Sequence, residues 1–350
     1  MNILFLAHYY NSLYKIIEEE LIEQGHSVYT IRDIEDYQFI WYKKKLPLHL
    51  SIKKFIVIKL GLLERYWKKQ IQNNKLLCQS YDLLFVIQGV SFSPLLLNHL
   101  RKYNPNIRTS LYIWDSNRYI DYFHNILYFD KVYSFDWYDV KTERQNNVGF
   151  LPFFWPKSLV KYDNEPIIYD ISSIGTCHDG RLGVFKAIVK QLEAGNYKYF
   201  LKLVVPQTGT FTIYERFNLI RMKLSATSVE DIERYLISKG EKTYSFISKD
   251  YYSPDEMNKI MAESRSVLDT DRELQGGTTP RLIWAMALNK HIFTTNKKII
   301  ELPFYKSDSI HIIDRNDPYV DLALASNSQD INTRNDVLNY RIDNWVKYFI

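Results

Sequence analysis

A chain of 350 residues with 46% hydrophobic and 24% charged residues has the composition of a globular protein with room for two domains, each with its own core. That balance excludes a disordered chain, and no uninterrupted apolar run approaches the ~20 residues that cross a bilayer. The net charge of +5 is unevenly spread. Between Trp41 and Lys75 stand ten basic residues and one acid, Glu64, a local +9 that leaves −4 for the rest.

The 28 tyrosines fit a biased base composition better than a set of carbohydrate-stacking surfaces. Cys78 and Cys177 have no metal-type spacing around them, which suits a reduced, cytosolic chain. The opening residues 1–12 carry no basic leader, so they read as a first strand rather than a signal peptide.

Asn2–Ala7 reads as a buried parallel strand, with Asn11 or Ser12 capping the next helix. The run Glu18-Glu19-Glu20 is expected to face water, Gly25 to end the helix, and 28–31 to form a second strand. This is a Rossmann-like opening without a Gly-x-Gly-x-x-Gly loop, so nothing in it points to a dinucleotide. After a break at Leu46-Pro47, Ile52, Phe55, Ile56, Leu60, Leu63, Tyr66, Trp67 and Ile71 recur at helical spacing. Lys43, Lys44, Lys45, Lys53, Lys54, Lys68 and Lys69 flank that stripe. It reads either as a core-facing helix with a solvated basic back or as a surface for anionic lipid or a lipid-phosphate acceptor. Nucleic acid is set aside, since the patch is single and no binding motif accompanies it.

Strands follow at 82–88, 108–114 and 131–135, and 148–154 closes the half-domain. The run 161–166 resembles a linker, which gives an N-terminal domain of residues 1–158 and a C-terminal domain of 165–336. The second half restarts with a strand at 167–174 running into a turn bracketed by Gly175 and Gly180, then a helix. Strands are expected at 199–205, 244–247 and 309–313. Ser253-Pro254-Asp255-Glu256 is a compact helix start, with Glu256 reaching back to the cap. The most informative stretch is Ser266–Asn296: a strand ending at Asp269, a loop through Gln275, Gly276 and Gly277, a cap at Thr278 or Thr279, Pro280 and Arg281 in a first helical turn, and another strand. Such a helix start suits a phosphate. Residues 339–350 read as an aromatic terminal helix.

Two Rossmann-like halves with a phosphate-type loop late in the second resemble the plan of GT-B glycosyltransferases. The likeness sharpens at YIWDS near 115, FDWYD near 136, FLPFFW near 154, and SSIGTCHDGR paired with QGGTTPRLIWAMALNKHIFTTN. Together these resemble transferases of bacterial lipopolysaccharide and capsule gene clusters. The resemblance implies an α/β fold of two Rossmann-like domains, parallel sheets flanked by helices, with residues 337–350 packing back on the N-terminal domain. It implies a nucleotide-sugar donor bound by the C-terminal domain and a polysaccharide or lipid-linked glycan acceptor held by the N-terminal one. In the family a Glu usually follows the helix Arg by three residues and holds the donor ribose. Here Trp284 stands in that place, and its indole cannot accept from a ribose diol. A non-catalytic, partner- or glycan-binding subunit of the same fold is the alternative.

Sugar transfer needs a stabilised leaving diphosphate. Gly175, Thr176, Arg181, Asp269, Gln275, Gly276, Gly277, Thr278, Thr279 and Arg281 are the candidates. An inverting reaction also needs a base, for which Asp115 comes first and His8 second; His178 and Asp179 could touch a ligand but suit a turn. A retaining reaction needs no such base. Asp269-Thr270-Asp271 could be a metal-binding Asp-x-Asp, but it falls late in the chain and reads as a loop edge, so no metal or cofactor is expected.

Overall fold

The computed structural model describes residues 1–9, 13–43, 48–142, 147–178, 180–206, 208, 213–224, 228–272, 276–326 and 331–350. Asn11, Ser12, Lys44, Lys45, Leu46, Pro47, Asp179 and Gln275 lie outside the described residues. The chain divides into two compact units: Met1–Lys157 with Leu274–Thr278 and Asn339–Ile350, and Ser158–Glu273 with Thr279–Leu338.

The first unit runs β1 (Asn2–Ala7), α1 (Leu13–Glu23), β2 (Ser27–Arg32), a 3-10 helix (Glu35–Trp41), α2 (Leu48–Lys59), α3 (Leu62–Asn73), β3 (Leu83–Ile87), α4 (Pro94–Leu100), β4 (Arg108–Ile113), β5 (Lys131–Ser134), α5 (Trp137–Thr142) and β6 (Val148–Phe150). Its sheet is wholly parallel, in the order β2-β1-β3-β4-β5-β6. The runs ILFLA and LLFVI are buried throughout, as strands covered on both faces must be.

The second unit contains β7 (Tyr169–Thr176), α6 (Arg181–Ala194), β8 (Tyr199–Val204), α7 (Ile213–Leu224), α8 (Val229–Ser238), β9 (Ile247–Ser248), α9 (Pro254–Ala262), β10 (Ser264–Asp269), α10 (Pro280–Ala287), β11 (His291–Thr294), β12 (Ile310–Ile312) and α11 (Ala323–Ser326). Its sheet, also parallel, is ordered β12-β11-β10-β7-β8-β9. Ser253 and Glu256 form the expected capping box on α9. Both units are therefore Rossmann-like, with a reversal of strand order between β1 and β3 in one and between β7 and β10 in the other.

Four expectations about local structure are corrected. Glu20 does not face water: it is buried and bound by Lys157 at 2.7 Å and by Gln24. The stripe from Ile52 to Ile71 is not one helix, because Gly61 takes a left-handed φ of 57° and separates α2 from α3. The strand expected at 244–247 shortens and shifts to β9. The C-terminal segment is not a continuous helix but 3-10 turns around a single short helix, α12 (Ile342–Trp345). Trp345 and Phe349 there pack on Tyr112, and the Trp345 indole N–H donates to the Pro152 carbonyl.

Candidate functional site

In an open parallel sheet ligands gather at the carboxyl ends of the strands, at the switch point. In the second unit that point lies between β7 and β10, and Arg281 and Arg181 both reach it. Arg281 is in the first turn of α10, whose cap is Thr279: its hydroxyl accepts from Leu282 N–H at 3.2 Å and donates to Asp269 Oδ1 at 2.6 Å. Arg281 Nη1 stands 3.2 Å from the same carboxylate, while Nε and Nη2 donate to the Ile174 carbonyl at 3.2 and 2.7 Å. Arg181 comes from the first turn of α6 and donates to the carbonyls of Thr176 and Thr270. The two guanidinium groups converge over Gly175. A Cβ there would lie 2.6 Å from Arg281 Nη2 and 3.2 Å from Arg181 Nη1.

Asp269 is buried, and its other oxygen accepts from Thr294. Its three intramolecular donors make it an anchor for the start of α10. Asp271 likewise binds Arg315 and Thr295, and burial pushes its pKa up. The Asp-x-Asp pair is thus shared out between two arginines. Among the described residues no group of three or more His, Cys, Asp or Glu could hold a metal ion.

Gly276 and Gly277 belong with the first unit. The Gly276 N–H, expected to face a phosphate, donates instead to Asp136 Oδ2 at 2.9 Å. Gly277 lies flat on Phe135, where a Cβ would come within 2.4 Å of the ring. Thr278 is wholly buried, and Thr279 rather than Thr278 is the cap. Trp284, in the place of the family's Glu, is buried in α10.

In the first unit, the first or second residues past β2, β1, β3, β4 and β5 are Asp33, His8, Gln88, Asp115 and Asp136, a polar row along the carboxyl edge of the sheet. Gln88, in a left-handed conformation with φ 66°, accepts from Trp114 N–H through Oε1 and donates to Asp115 Oδ2 at 2.7 Å. The Tyr122 hydroxyl donates to the same oxygen at 3.4 Å. His8 is buried, edge-on to Trp114. Asp33 accepts from Val90 N–H, Ser91 N–H and the Ser91 hydroxyl, and burial raises its pKa against those bonds. Asp139, which accepts from Asn117 N–H at 2.6 Å, is pushed up to about 7 by burial and by Asp136. Sequence reasoning found Asp115 and His8 but passed over Asp33, Gln88 and Asp139. For Asp33 and Gln88 the signal available was their place as the first residue past a strand.

A cavity of ≈ 490 Å³ in the same unit is bounded by Trp41, Tyr42, Lys43, Lys54, Val57 and Asp121 among others. Lys53, Lys68 and Lys69 are exposed, and the described helices include none long and apolar enough to cross a membrane.

Neither a family model nor a curated protein matches the sequence. Among solved structures, the chain is similar to a sucrose-phosphate synthase from Thermosynechococcus elongatus: TM-score 0.53 and 10% identity, over 99% of this chain and 96% of that one. It is also similar to AviGT4, a glycosyltransferase involved in avilamycin A biosynthesis, with TM-score 0.51 and 10% identity over 99% and 95% of the two chains. Likeness at this identity concerns the fold. Two six-stranded parallel sheets flanked by helices, in two Rossmann-like units, make this a GT-B fold.

Proposed function

We propose that this chain is a nucleotide-sugar-dependent glycosyltransferase that extends a cell-surface polysaccharide or lipid-linked glycan of the lipopolysaccharide or capsule kind. The observation that carries the reading is the convergence of Arg181 and Arg281 over Gly175, beside the N-terminus of α10, at the switch point of a parallel sheet. Two preorganised cations and a helix start suit a nucleoside diphosphate whose charge grows as its sugar departs. AviGT4, which carries the name of a glycosyltransferase, has the same fold.

The first unit would hold the acceptor, with the cavity beside Lys43 and Lys54 as its seat. For an inverting reaction Asp115 is the assigned base, its carboxylate oriented by Gln88 and Tyr122, and His8 is the second choice. No resident metal is invoked: Asp269 is engaged by Arg281 and Asp271 by Arg315, so neither carboxylate is offered to a cation. The protein would work in the cytoplasm, with its basic segment against the inner face of the plasma membrane.

The test is a thermal-shift series with uridine, thymidine and guanosine diphosphates and their sugars. A ligand at about 100 times its Kd adds ~2.7 kcal/mol of stability. A shift with one of them that Arg281→Ala abolishes supports the reading; no shift with any rejects it. Trp284 favours a second reading, a non-catalytic subunit of the same fold. Release of nucleotide from a bound nucleotide sugar by the purified chain would exclude that.

A further inference from the structure

The apolar stripe divides at Gly61, and its halves meet opposite fates. On α3, Leu63 and Trp67 are buried, and the Trp67 indole N–H donates to the Ser91 carbonyl at 2.5 Å. On α2 the described side chains include one buried residue, Val57, which joins Phe39 and Ile40 in a small satellite cluster. Ile52, Phe55, Ile56, Ile58 and Leu60 stand between 44% and 62% exposed. At about 3.6 residues per turn Ile52 and Phe55 lie opposite Val57 and Ile56 and Ile58 flank them, while Leu60 follows the last turn of α2. Single exposed apolar residues are ordinary, whereas four large ones along one side of a helix are an interaction surface.

Its occupant is indicated by charge. The sequence of α2 contains no acid. Lys53, Lys54 and Lys59 lie among the apolar residues, and none of them is ion-paired among the described residues. Lys53 and Lys59 rest over the rings of Phe39 and Phe55, so their alkyl stems cover apolar surface while the ammonium groups stay at its rim. A second copy docked face to face would bring lysine against lysine, a repulsive arrangement. A layer of anionic headgroups over acyl chains offers the complementary pattern: phosphates for the ammonium groups and hydrocarbon for Ile52, Phe55 and Ile56.

We infer that α2 docks the first unit on an anionic lipid bilayer, lying in the interface with Phe55 and its apolar neighbours below the phosphates. Lys68 and Lys69, on the helix whose apolar side is spent on the core, add long-range attraction but no insertion. The inference rests on the reading of the basic segment as the membrane-facing part of a glycosyltransferase, yet its test requires no transfer.

Full-length protein is sedimented with vesicles of phosphatidylcholine alone and with about a third phosphatidylglycerol. Binding should be more than about tenfold tighter to the anionic vesicles and weaken with salt. The double variant F55S/I56S should lose about tenfold or more of that binding with an unchanged melting temperature and an unchanged nucleotide-induced shift. K53Q/K54Q/K59Q should lose the preference for anionic lipid. Equal binding to both vesicles, or F55S/I56S binding like the parent, overturns the inference. So does a concentration-dependent dimer that F55S/I56S dissolves, since the face would then join two copies. Vesicle binding that persists in a chain showing no nucleotide shift would reject the proposed function and leave this inference standing.

Discussion

Asp269 holds both Thr279 and Arg281, at 2.6 and 3.2 Å through the same oxygen, and so ties the cap and the first turn of α10 to the end of β10. One buried carboxylate thereby sets the position of the helix start and the direction of its arginine. The guanidinium is then fixed a second time by the Ile174 carbonyl. A cation held on two sides in advance loses little freedom when an anion arrives.

Removing the anchor tests this directly. Asp269→Ala leaves a mostly buried arginine without its carboxylate, and breaking one partner of such a pair costs about 3–5 kcal/mol. Urea unfolding should show a loss of that size, and nucleotide affinity should fall with it. A loss below about 1 kcal/mol would mean that the pair does not organise the helix start.

Gly175→Ala tests the convergence from the backbone side. The added methyl meets the heads of Arg281 and Arg181 and strains their hydrogen bonds to Ile174, Asp269 and Thr176, so stability should fall by about 1–3 kcal/mol. Displaced guanidinium groups no longer converge, and the nucleotide-induced thermal shift should shrink sharply. An unaltered shift would show that a ligand does not use this convergence.

Trp67→Ala and Phe55→Ser, taken from the two halves of the same stripe, should behave oppositely. Trp67 is fully buried, and its truncation should cost about 3–5 kcal/mol in thermal or urea unfolding. Phe55 is 62% exposed, and its replacement should leave the unfolding free energy within the ±0.5 kcal/mol or so typical of surface changes.

Asp139 and the His291–His311 pair give stability pH dependences of opposite sign. Burial and Asp136 raise the Asp139 pKa to about 7 in the folded chain. The folded state then holds its proton more tightly, so this contribution is full below about pH 4 and lost as pH rises through 7. His291 and His311 sit on neighbouring strands with Nδ1 and Nε2 3.2 Å apart, and burial lowers both pKa values. Protonation is disfavoured in the fold, so their contribution is present above about pH 6.5 and lost as pH falls below it. Denaturation curves across that range should lose part of the acid-side slope in His311→Gln and the neutral-side slope in Asp139→Asn. Unchanged slopes would contradict the assignments.

Much of this was legible in the sequence because buried parallel strands are written as unbroken apolar runs, as in β1 and β3. Ser253-Pro254 announced α9, and the pair Thr278-Thr279 before Pro280 announced α10 without deciding which threonine is the cap. The break at Gly61 was not legible, since helical spacing continues across it and a left-handed glycine leaves no mark in the pattern. Glu20 was misread because its partner Lys157 is distant in sequence. Asp33 and Gln88 were missed for a related reason: each is a lone polar residue after a strand, and only the strand order β2-β1-β3-β4 sets them beside His8 and Asp115. The Gly276 N–H, expected to face a phosphate, is directed to Asp136, a partner 140 residues away that no local pattern reveals.

The most direct measurement is calorimetric titration of nucleoside diphosphates into the parent chain and into Arg281→Ala. The account predicts saturable binding of at least one of them by the parent and a loss of about tenfold or more in the variant, as befits a charged hydrogen bond worth ~1.5–3 kcal/mol. Heat-silent titrations with all of them, or equal affinities for parent and variant, would contradict it.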